Sequence, residues 1–170
     1  MTKLEAIQKI YPPAKLMDIS PIFTTAQACW ETGWLKHTIG LSNIFGITKG
    51  DDWKGKVILV QTGEHFHSPD VKFDPPEKVL HVKPNPKGGF DYVVMREFRN
   101  YDTIAQCLQD HFLILQHNNF LPAWPVRHDP VAYVKAIQAC KEPYATDPNY
   151  VKNMALMIAE VQNIVTENKL

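Results

Sequence analysis

The run PIFTTAQACWETGW, residues 21–34, carries a helix and, close to its end, a carboxylate. Ser20-Pro21 resembles an N-cap with proline at the first helical position, and Gly33 supplies a stop. Glu31 is therefore expected near the helix C-terminus. There the negative end of the helix dipole and the apolar Trp30 and Trp34 disfavour the ionised carboxylate. The sequence predicts that Glu31 holds its proton unusually well.

Toward the N-terminus, Thr2 and Glu5 have capping-box spacing, and Leu4, Ile7 and Ile10 recur at helical intervals. A short helix is predicted there, ending at the Pro12-Pro13 break. Downstream the texture changes between Trp53 and Arg96. VILVQT, KVLHV and FDYVVM are β-rich, and the turn sequence PNPKGG, 84–89, separates the last two. We read this as a small β lobe over about 53–96.

Helical spacing returns with Ile104, Leu108, Phe112 and Leu115, then with Val131, Val134 and Ile137 after Asp129-Pro130. The tail from Pro148 places Val151, Met154, Ile158, Val161 and Val165 on one helical face. Helices, a β excursion, then helices make an α+β domain with a cleft between two lobes. The whole of 1–170 is expected to be one domain, and such clefts accept extended polymers.

Composition narrows the function. Lys plus Arg and Asp plus Glu both total 18, so no basic stripe is available to neutralise a phosphate backbone, and nucleic acid is not expected as a partner. Cys29, Cys107 and Cys140 are odd in number and lack CxxC spacing, which predicts reduced, buried thiols. His65 and His67 beside Glu64 mimic a metal cluster, but H-x-H without a further ligand is weak, and neither metal nor cofactor is expected. No stretch reaches transmembrane length, and the N-terminus has no apolar run of signal length, so neither membrane insertion nor an export signal is expected.

The segment from Ala26 to Lys56 contains AQ, E, GW, then NIFG followed by Lys49, and W-x-G at Trp53. Further on come FRNYDTIAQCLQDHFLIL and Tyr144-Ala145-Thr146-Asp147-Pro148 with Tyr150. In this order and at these distances, the motifs resemble those of the glucosaminidase family of peptidoglycan hydrolases, glycoside hydrolase family 73, which includes flagellar, autolysin and phage-lysin members. The resemblance spans roughly Pro21 to Val161. It implies a mostly helical, lysozyme-like domain whose small β lobe flanks the substrate cleft. It also implies an endo-β-N-acetylglucosaminidase that cuts the bond between N-acetylglucosamine and N-acetylmuramic acid, acting on peptidoglycan glycan strands as a monomer.

Under that resemblance Glu31 is the catalytic acid, the group that protonates the glycosidic oxygen as the bond breaks. A second carboxylate belongs in the β lobe, and Glu64, in QTGEHFHSP, is our choice. Gly63 and Pro69 suggest a mobile turn around it. Asp51, Asp52 and Glu77 compete for the role. Tyr144 carries over as a cleft tyrosine acting on the acetamido group or on developing positive charge, with helix packing as its alternative. Trp34, Trp53 and Trp124 offer flat faces to sugar rings, at least one of them as core instead. Asn43, Phe45 and Gly46 form a turn below the cleft in which Asn43 anchors the loop or touches sugar. Tyr150 is a further substrate-binding residue, while Asp147-Pro148 caps the last helix.

Three other activities compete: a muramidase, an amidase, and a non-catalytic wall-binding or structural module of a phage or secretion apparatus. The expected setting is a phage endolysin, made in the cytoplasm and acting on the cell wall or periplasm, with a domain cut from a larger protein as the alternative.

Overall fold

The computed structural model describes residues 1–117 and 119–170. Helix α1 (Lys3–Ala14) opens on a complete capping box between Thr2 and Glu5. It does not stop at Pro12-Pro13, as expected, but includes both prolines in its last turn. Missing N–H groups and ring clashes disfavour proline there. Burial of Tyr11 and Ala14 against the core holds the turn in place nonetheless.

Helix α2 (Pro21–Thr32) begins as read: the Ser20 hydroxyl accepts from the Phe23 N–H, and Pro21 occupies the first turn. Every residue from Ile22 to Cys29 is buried. A helix buried on all sides must be central, and α1, the last helix α5 (Tyr150–Glu167) and α4 (Pro130–Gln138) all contact α2. Gly33 ends it in the left-handed region at φ 54°, and Trp34 and Leu35 follow at φ 67° and 59°. Such conformations are costly for non-glycine residues and persist when neighbours enforce them. Here the Trp34 N–H donates to Cys29 O at 2.9 Å, and the Leu35 N–H donates to the Thr32 hydroxyl at 2.8 Å.

Helix α3 (Ile104–Leu115) starts on a capping box of Thr103 with Gln106, and α4 on the Asp129 carboxylate, which accepts from the Val131 and Ala132 N–H groups. The stretch Leu121–Val126 is a 3₁₀ turn. Helix α5 begins at Tyr150, two residues after Pro148, and Asn149 is its N-cap. Asp147 still serves the helix start, accepting from the Asn149 N–H and from the Asn153 amide. Among the described helices none is long and apolar enough to cross a membrane.

The three β-rich runs form β1 (Val57–Phe66), β2 (Lys78–Pro84) and β3 (Phe90–Arg99), an antiparallel sheet with β3 in the centre. Segment 68–77 covers part of the sheet. The Tyr92 hydroxyl donates to Ser68 O at 2.7 Å and accepts from the Val71 N–H, and the Arg96 guanidinium lies over the Phe73 ring. Val57 and Leu59 stay exposed.

The lobes are joined along a seam between loop 43–49 and the end of β3. The Asn43 amide donates to both Ile47 O and Arg99 O at 2.9 Å, and Thr48 bridges to Phe98. Arg99 donates to Thr48 O and Lys49 O and grips Asp110 of α3 through both carboxylate oxygens. Tyr101 donates to the same carboxylate.

Candidate active site

Two side chains of α2 emerge from the protein, Trp30 and Glu31, one beside the other in the last turn. Glu31 is open to solvent on one side. The protein on its other sides desolvates the carboxyl enough to raise its pKa above the usual carboxylate value. Among the described residues it has neither a hydrogen bond nor an ion pair to pull the proton off. The raised pKa matches the direction of the sequence expectation, and desolvation by burial is its cause. Trp34 is buried, with the Lys3 ammonium 5.0 Å from its ring centroid.

Behind Glu31 runs a continuous series of aromatic and polar contacts. Gln27, one turn earlier on α2 and fully buried, donates from Nε2 to the Tyr150 hydroxyl at 3.2 Å. Tyr150 stacks on Tyr144 at 5.7 Å between centroids. The Tyr144 hydroxyl meets His111 Nε2 at 3.1 Å, and the His111 ring stacks on Phe45 at 3.8 Å. Burial keeps His111 neutral, its pKa pushed down to about 3. The Tyr144 and Tyr150 hydroxyls are held protonated chiefly by burial, and the charge of Glu31 adds to the effect on both.

The β lobe presents carboxylates differently. Glu64 lies within β1, paired with Tyr92, so the mobile turn expected around it is instead regular strand. Gly63 and Glu64 read as a turn locally because their pairing partner, β3, lies some thirty residues away. Arg96 Nη1 stands 3.6 Å from Glu64, and Arg96 Nε donates to Glu77 at 3.1 Å. Glu77 also accepts from the Glu97 N–H at 2.8 Å, while Glu97 pairs with Lys49 at 2.6 Å. A groove of about 410 Å³ opens beside this network, lined by Lys49, Asp51, Lys72, Glu77, Arg96 and Glu97. Asp51 and Asp52 are exposed in the loop before β1. No hydrogen bond or ion pair links Glu64 to Glu31 among the described residues.

The remaining expected residues fall into two groups. Trp34, Asn43, Phe45 and Tyr150 are buried, and their polar or flat faces are spent on protein partners. Trp53 is half-buried, its indole N–H bonded to Lys56 O, its ring between Arg99 and the edge of Tyr101. Trp124 is likewise taken up by Arg127 and Phe112. His65 pairs with Asp91 at 3.2 Å. All three cysteines are free, and burial pushes the thiols of Cys29 and Cys107 up to about 12. Gln27, His111 and Arg96 were missed. Only Gln27 had a local signal, a polar side chain one helical turn before the acid.

Two lobes and a desolvated glutamate, unpaired among the described residues, at the end of a largely buried central helix make up the candidate site. The structure superposes on the glycoside hydrolase domain of FlgJ from Salmonella typhimurium with a TM-score of 0.73, at 22% identity, covering 99% of this chain and 94% of that one. A peptidoglycan hydrolase mutant from Sphingomonas sp. A1 gives 0.68 at 24% identity, covering 96% and 99%. The family described as mannosyl-glycoprotein endo-beta-N-acetylglucosaminidase matches residues 8–163, and the chain belongs to this glucosaminidase family. Among its relatives are the peptidoglycan hydrolase FlgJ of Escherichia coli (strain K12), 25% identical over 82% of this chain, and a probable N-acetylmuramidase of Lactococcus lactis subsp. lactis, 27% identical over 88%. The chain spans 39% and 30% of the lengths of these two relatives.

Proposed function

We propose that this chain hydrolyses the glycan strands of peptidoglycan as an endo-β-N-acetylglucosaminidase, with Glu31 as the general acid. The observation that carries the reading is the state of Glu31: unpaired among the described residues, desolvated, and exposed beside Trp30 at the end of a helix buried from Ile22 to Cys29. Family membership supports it. Glu31 transfers its proton to the glycosidic oxygen as the bond from the anomeric carbon to that oxygen breaks, and the sugar beyond leaves as an alcohol. Water then adds to the anomeric carbon and surrenders a proton to a base.

Glu64 is our choice for that base: it lies in β1 of the second lobe, with Arg96 Nη1 3.6 Å from its carboxylate. Tyr144, protonated and anchored on His111, is positioned to serve the acetamido group of the bound sugar. Attack by water activated at Glu64 inverts the anomeric centre, whereas attack by the substrate's own acetamido oxygen retains it. Proton NMR of the first-formed anomer separates the two routes.

The decisive experiment is turbidity loss of purified cell walls with the wild-type chain and with Glu31→Gln, followed by reducing-end analysis of the products. N-acetylglucosamine at the new reducing ends supports the proposal. N-acetylmuramic acid there supports a muramidase, the reading favoured by the name of the Lactococcus relative. Release of peptide alone, or turnover unaffected by Glu31→Gln, defeats the assignment of the acid.

A further inference from the structure

The tryptophans divide unequally. Trp34, Trp53 and Trp124 each have a cation over the ring, and Trp53 and Trp124 also meet a second aromatic ring. Trp30 is 40% exposed and, among the described residues, has no aromatic, cationic or hydrogen-bonding side-chain partner. Isolated exposed apolar side chains are ordinary on protein surfaces, and Leu16, Leu41 and Leu156 are more exposed than Trp30. What sets Trp30 apart is its place. On a helix buried from Ile22 to Cys29 and again at Thr32, it surfaces only where Glu31 does.

We propose that Trp30 is a saccharide platform, its free indole face receiving a pyranose ring adjacent to the bond that Glu31 protonates. The inference rests on the reading of Glu31 as the acid of a glycan hydrolase and adds a binding residue to it. Consecutive helical residues diverge by about 100° around the axis, so the two side chains address neighbouring positions on a ligand and not the same one. An extended polysaccharide crossing the end of α2 offers such a pair: a glycosidic oxygen for the carboxylic acid and the C–H face of the next ring for the indole. Flat apolar surface exchanged from water to a sugar face is what an aromatic ring supplies at low entropic cost. Gly33, Trp34 and Leu35, locked in left-handed conformations by their hydrogen bonds to Cys29 and Thr32, fix the last turn of α2 and with it the relation of the two side chains.

The test uses the Glu31→Gln chain, which should bind without cutting. Its probe is a peptide-free tetrasaccharide of alternating N-acetylglucosamine and N-acetylmuramic acid. Titration should quench indole fluorescence. Adding Trp30→Ala should weaken binding roughly tenfold and remove the quench. Trp30→Phe should restore most of the affinity, and Trp30→Leu, equally apolar but not flat, should not. Circular dichroism and Tm confirm that each variant folds. Equal affinity for the Trp30, Leu and Ala forms, or no binding by Glu31→Gln itself, overturns the platform. Wall lysis surviving Glu31→Gln removes the acid and, separately, the premise on which the platform stands.

Discussion

The helical lobe and the β lobe position their carboxylates by opposite means. At the end of α2 the environment of Glu31 is built by burial: apolar packing around the helix, neutral tyrosines and a neutral histidine behind it, and no ion-pair partner among the described residues. In the β lobe, Glu64, Glu77 and Glu97 are tied by Arg96 and Lys49, each with some access to solvent. Burial favours a protonated carboxyl and ion pairing favours a charged one. In the mechanism proposed above, the acid Glu31 and the base Glu64 belong to different lobes.

The largest expected effect follows from that division. Glu31→Gln should lower the rate of wall lysis by about 10²–10⁴-fold, and Glu64→Gln by about 10²-fold, both with the fold intact. An unchanged rate for Glu64→Gln would transfer the second role to the acetamido oxygen or to another β-lobe carboxylate. The activity of the wild-type chain should persist above the usual carboxylate range and fall as pH rises through the raised pKa of Glu31.

Stability should divide in the same way. Met154 is completely buried where α5 meets the core, so Met154→Ala should cost about 2–5 kcal/mol in urea unfolding. Leu59, exposed on β1, should cost less than about 1 kcal/mol on the same change. Similar losses at both positions would mean that the sheet face is covered in solution.

His111 gives the pH dependence of the helical lobe. Its folded pKa of about 3 lies below the unfolded value near 6.5, so the unfolded chain binds the extra proton between those values. Stability should therefore decline as pH falls through that window, by at most about 1.4 kcal/mol per pH unit from this group. His111→Phe, which keeps a ring on Phe45, should flatten that part of the profile in pH-dependent thermal melts.

The smallest effect concerns Glu31 itself. Its raised folded pKa means that ionisation costs the folded state something at neutral pH. Glu31→Gln should raise Tm there by less than ~3 °C. The gain should vanish in acid, below the unfolded glutamate pKa near 4.3, where the wild-type carboxyl is protonated in both states. A variant less stable at neutral pH would show that the charge is stabilised by something in the helical lobe.

Much of this was legible residue by residue. Ser20-Pro21 and Gly33 bounded α2 correctly because caps and stops act within one turn of the chain. The PNPKGG turn was legible for the same reason: the Asn85 N–H donates to Gly89 O at 2.9 Å, and any side chain on Gly89 would meet Phe66 O at 2.6 Å. Glu64 was misread as a turn residue because the strand that pairs with it comes later in the chain. Trp34 and Tyr150 looked available to sugar because exposure is not a local property, and packing by other helices buried them.

The chain by itself therefore determined the element order, the family motifs and the identity of the acid candidate, all set by contacts within a few residues or by motif order. Only the tertiary structure decided that Trp30, not Trp34, faces solvent beside Glu31, and that His111 anchors Tyr144. It also decided that Arg96 stands between Glu64 and Glu77. Burial and ion pairing between elements depend on how distant segments meet, and no window of sequence contains that information.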